Sequence, residues 1–158
     1  MRWFWWFLLV PQIYLVAAWL HELGLPKLDV GALLCVFLAL FAEPRALPGL
    51  LLGAAAGRAL VDEATLPVQI LVLGVPVAVL LPLRAWLYRQ QLWWQVAAAA
   101  VFAIAVPRWS GLCANWFGQP SAADVDTVVV TVTALLGPLV LFVLRALPPL
   151  RAFAERTA

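Results

Sequence analysis

Residues 48–62, PGLLLGAAAGRALVD, set glycine at every fourth position (Gly49, Gly53 and Gly57) in an otherwise apolar run, and then place Arg58 and Asp62 one helical turn apart. On a helix the three glycines share one face and leave a flat stripe along which a second helix can approach backbone to backbone, while Arg58 and Asp62 fall together near one end. Such a segment cannot stand alone. Its apolar surface needs cover and its cation needs a partner.

The rest of the chain says what kind of cover. A water-soluble surface calls for roughly a quarter charged residues, whereas 66% of these 158 residues are hydrophobic, 11% are charged, and the mean hydropathy is +1.00. The chain therefore reads as an integral membrane protein. A net charge of +2, with no basic cluster beside an aromatic or glycine-rich RNA motif, gives nucleic-acid binding no support. Cys35 and Cys113 have neither metal-ligand nor redox spacing and read as small apolar helix residues. Arg2 followed by an apolar run resembles a secretory signal, but the run is rich in tryptophan and reaches spanning length, so an uncleaved first helix is expected.

Apolar segments and their breakers give six expected spans, at about 3–20, 28–42, 47–61, 67–87, 92–106 and 127–147, making an all-α polytopic membrane protein with a single transmembrane domain. The second and third are short for a bilayer. Pro67 suits a first helical turn, Pro76 and Pro82 should kink the fourth span, and Asp126 is a plausible cap for the sixth. The longest non-helical stretch is expected over 108–126.

Loop charge sets the orientation. Arg2, Arg45, Arg84, Arg89, Arg145, Arg151 and Arg156 collect on one side, seven against Lys27 and Arg108 on the other, which puts both termini in the cytoplasm. Trp3, Trp5, Trp6, Trp86, Trp93 and Trp94 cluster at one set of span ends, and Trp19, Trp109 and Trp116 at the other, as interfacial anchors do.

Arg58 is the one basic residue expected within the hydrocarbon. A cation there costs on the order of 2.5 to 3.5 kcal/mol, so it should pair with Asp62 and reach for the surface, or meet a polar group on another helix of this chain or of a partner. The glycine stripe likewise serves either an intrachain or an intermolecular contact. Asp124 and Asp126 read as a solvated loop and a helix cap, and His21-Glu22 as a polar helix end. No HExxH, phosphate loop or nucleophile with a candidate base is present, the serines being Ser110 and Ser121 alone, so neither catalysis nor a bound metal or cofactor is expected.

Three patches carry a resemblance to the MreD family of the bacterial rod-shape system, the elongasome. They are Leu25-Pro26-Lys27-Leu28-Asp29 between the first two spans, the glycine-rich Gly49 to Asp62 followed by a polar turn and a span with Gly74, and Thr133-Ala134-Leu135-Leu136-Gly137-Pro138-Leu139 through Arg145. The resemblance implies a non-enzymatic scaffold that binds the bitopic protein MreC. Directly or through MreC, it would support a SEDS glycosyltransferase and a class B penicillin-binding protein in peptidoglycan synthesis. It also implies a fold resembling the six-helix S components of energy-coupling-factor transporters, which makes a vitamin-binding S component, holding its ligand in external loops, the second expectation. A channel or exporter would need a polar stripe along several spans, and only the third carries one.

Overall fold

The computed structural model describes residues 2–84, 91–120 and 125–147, which form six helices: α1 (Arg2–Glu22), α2 (Val30–Phe41), α3 (Leu47–Ala59), α4 (Leu66–Leu83), α5 (Leu92–Phe117) and α6 (Thr127–Ala146). No strand occurs among the described residues. Three helices, α1, α5 and α6, are long and apolar enough to cross a membrane, which makes this a membrane protein.

The arrangement follows from α2. Its sequence, VGALLCVFLALF, is apolar all the way round, and all twelve of its residues are buried. A helix of that kind belongs inside other protein rather than at a surface. The other five helices pack around it, and neighbours in the ring are α1 with α3, α3 with α4, α4 with α5, and α5 with α6. At 12 residues α2 is about 18 Å long, well short of the roughly 30 Å hydrocarbon core. Shielded by its neighbours, it has no need to match that thickness.

The helices alternate in direction between two ends. At one end lie Glu22, Asp29, Asp62, Glu63 and Asp126; at the other lie Arg45, Arg84 and Arg145 with Glu43. We call these the acidic and the arginine ends. Asp126 caps α6 as expected, its carboxylate accepting from Val128 N at 2.8 Å, and prolines open α3 and α4.

Two expectations change. The fifth helix does not stop at Val106: α5 runs through Pro107 to Phe117, so Trp109, Asn115 and Trp116 are helical, and Arg108 lies in a helix rather than a loop. Proline removes one helical hydrogen bond, and inside a bundle that loss does not end a helix. The actual stop is Gly118, in the left-handed region at φ 61°, with the Gly118 and Gln119 N–H groups folding back on Asn115 O and Ala114 O. The tryptophans also divide. Trp5, Trp19, Trp93, Trp94 and Trp116 are exposed, as anchors should be, whereas Trp6 is fully buried. Trp86, Asp124, Arg89, Arg151 and Arg156 lie outside the described residues.

Candidate functional site

The glycine stripe of α3 is occupied by α1. A side chain added at Gly49 would run into the ring of Trp3, one at Gly53 into Trp6 and Phe7, and one at Gly57 into Val10, Tyr14 and the backbone nitrogen of Pro11. The two helices thus run parallel, with a ridge of α1 residues three or four apart set into a groove of glycines four apart. Because Gly53 has no Cβ, the Trp6 indole reaches the helix backbone and donates from Nε1 to Leu50 O at 3.0 Å. At Gly57 a backbone atom of α1 is among the neighbours, 3.2 Å from where a Cβ would stand. The nitrogen facing α3 there belongs to Pro11, which carries no hydrogen and so leaves no donor unsatisfied.

At the acidic end of this seam the polar residues gather. Arg58 Nε pairs with Asp62 Oδ2 at 3.5 Å, the two side chains being 15% and 27% exposed. Gln69 of α4, fully buried, donates from Nε2 to the same Asp62 oxygen at 2.9 Å. Asp29 caps α2, its Oδ1 accepting from Ala32 N at 2.9 Å, while its own N–H donates to Oγ1 of Thr133 on α6 at 3.1 Å. Between them stands Gly31: an added Cβ there would lie 3.0 Å from Arg58 Nη1 and 3.3 Å from Asp29 Oδ1. Arg58 therefore lies over the start of α2 within electrostatic reach of Asp29, Asp62 and the phenol of Tyr14.

Of the sequence-singled residues, Gly49, Gly53 and Gly57 meet α1 of the same chain, and Arg58 and Asp62 meet each other and groups on α2 and α4. Sequence reading missed Tyr14, Asp29, Gln69 and Thr133 as members of this junction. Asp29 was findable, since an aspartate immediately before an apolar run is a helix-start signal. Gln69 and Thr133 are single polar residues within apolar spans, and nothing local links them to Asp62 or Asp29.

Charge at the other end completes the treatment of α2. Arg84, buried at the end of α4, donates from Nη1 to Ala42 O at 2.8 Å, and the Arg145 guanidinium lies 4.6 Å from the centre of the Phe41 ring. An acid at the N-terminus and two arginines at the C-terminus match the helix dipole of the central helix at both ends. Elsewhere at the acidic end, Gln119 clasps Thr65 through two hydrogen bonds of 3.0 and 2.8 Å, and Trp109 donates to Leu71 O at 3.2 Å. His21 sits exposed beside Leu25 O. Among the described residues no group of three or more His, Cys, Asp or Glu could hold a metal, and both cysteines are buried and free.

Comparison with family models, curated proteins and solved structures returned no match.

Proposed function

We propose that this chain is a non-enzymatic scaffold subunit of the MreD type. It spans a bacterial inner membrane six times with both termini in the cytoplasm, and binds an MreC-like bitopic protein to support peripheral peptidoglycan synthesis and cell shape. The supporting observation is a convergence. The three patches that carry the resemblance lie far apart in sequence, yet Asp29 of the first stands beside Arg58 of the second and is hydrogen-bonded to Thr133 of the third. The three patches that carry the resemblance thus share one junction.

The same geometry moves the expected partner surface. With α1 seated on the glycine stripe, a partner helix docks elsewhere on the bundle, and Arg58 acts on a complex through the junction rather than by direct contact. The S-component reading, which needs external loops to hold a ligand, loses ground because residues 108–117 of the expected loop belong to α5.

Co-expression with an MreC-type partner followed by size-exclusion chromatography in detergent tests the proposal. Co-migration is expected, and separate elution of the two proteins rejects it.

A further inference from the structure

Four helices and the cap of α2 meet at the acidic-end junction, and three of the polar atoms brought there have no protein hydrogen-bond partner among the described residues. They are Tyr14 Oη of α1, Arg58 Nη1 of α3 and Gln69 Oε1 of α4. All three atoms are buried, and Tyr14 and Gln69 are buried as whole residues. Leaving a buried donor or acceptor unmatched is costly, and more so where the surroundings are apolar.

The chemistry of the three atoms narrows what could match them. Arg58 Nη1 can only donate, Gln69 Oε1 can only accept, and Tyr14 Oη can do either. The matching species must therefore both accept and donate. Charge narrows it further: Arg58 and the nearby Lys27 stand against Asp29 and Asp62, so an added anion meets two carboxylates and an added cation meets two cations. A small neutral molecule suits the balance. At Gly31, Arg58 Nη1 and Asp29 Oδ1 stand 3.0 and 3.3 Å from where a Cβ would be, close together over the start of α2 without forming an ion pair, the kind of gap that a single water oxygen bridges.

We propose that this junction is a hydration site. Ordered water, admitted past the partly exposed Asp62, bridges Arg58 Nη1 to the Asp29 carboxylate and joins Tyr14 Oη and Gln69 Oε1 to the same network. Two to four polar partners per molecule is the usual setting for buried water, and the junction supplies them. Water then links α1 to α2 and α4, which share no direct hydrogen bond at this place among the described residues, and it solvates the Arg58 guanidinium beneath the surface.

Radiolytic hydroxyl-radical footprinting of the full chain in nanodiscs, read by mass spectrometry, tests this directly, because radicals generated from ordered water attack the side chain beside it. Tyr14 should be modified faster than Trp6, a buried ring of the same seam whose indole N–H already has a backbone partner. Protection of Tyr14 equal to that of Trp6 overturns the proposal. A second test is a double-mutant cycle of Tyr14→Phe and Gln69→Met on the thermal midpoint. The two substitutions should be coupled although the side chains do not hydrogen-bond, the double variant losing less than the sum of the singles. Strict additivity, or a higher midpoint for Tyr14→Phe, counts against a bridging water. Native mass spectrometry that finds a bound organic molecule, lost in Gln69→Met, overturns it in favour of a solute.

Discussion

Gly53 and Trp6 show how much a single missing Cβ decides. The indole takes the space that any other residue at 53 would fill, and its N–H reaches Leu50 O through that opening. Gly53→Ala should therefore cost about 1 to 3 kcal/mol by overpacking, despite the gain in helix propensity. The cost should fall in a Trp6→Phe background, where the ring is smaller and the hydrogen bond is already gone. Thermal melts in detergent measure both, and equal penalties in the two backgrounds would remove Trp6 as the cause. Arg58 gives the complementary case of a charge whose loss strands others. Arg58→Leu leaves Asp62 without its cation and Asp29 with Lys27 alone, at a cost of about 2 kcal/mol given the partial exposure of the Arg58–Asp62 pair. Adding Asp62→Asn, which keeps an acceptor for Gln69 Nε2 and removes one carboxylate charge, should recover part of that loss. A double variant less stable than Arg58→Leu alone would mean that charge is not what the arginine balances.

At the scale of elements, α2 is the helix that depends most on others. Apart from Cys35, whose thiol donates to Leu73 O, it has no hydrogen-bonding side chain of its own and takes its capping from Asp29 just before it, Arg84 at the end of α4 and Arg145 on α6. Arg84→Met leaves the buried Ala42 carbonyl without this donor, and should cost about 1 to 3 kcal/mol. Asp29→Asn keeps an acceptor for Ala32 N and should cost less than Asp29→Ala, for which about 1 kcal/mol is expected from the cap alone. Equal effects of the two Asp29 substitutions would show that the charge, not the hydrogen bond, matters at that end. The same elements show what a sequence can reveal. Hydropathy and breakers located α2, α3 and α6 to within a few residues, since such limits are written in local signals, Asp126 at the cap of α6 being one. The end of α5 was misjudged because Pro107 and Gly118 both look like stops, and choosing between them depends on packing. Local signals gave the face that carries Gly49, Gly53 and Gly57 but not the helix that meets it, since that is a question of which segments become neighbours. For the same reason Gln69 and Thr133 stayed hidden, seven residues and about a hundred residues from the acids they serve.

For the whole molecule, the separation of charge into an acidic and an arginine end is a consequence of alternating helix direction, and it ties the bundle to a membrane in one sense only. Arginine-rich loops stay in the cytoplasm, so the proposed topology puts Glu22 outside and Arg45 inside. Both native cysteines are buried, which leaves them poorly accessible to a polar reagent and gives single introduced cysteines a quiet background. In intact cells a membrane-impermeant maleimide should label Glu22→Cys, and should reach Arg45→Cys only after permeabilisation. The converse pattern would reverse the orientation. Labelling of both in intact cells would be more damaging, because it would place the α2–α3 connection on the same side as the end of α1. The short helices α2 and α3 would then form a re-entrant pair inside the bundle, and the count of six crossings would fall to four while every contact among the helices stayed as it is. The measurement thus separates what the packing fixes, a central α2 ringed by five helices, from what only a bilayer decides.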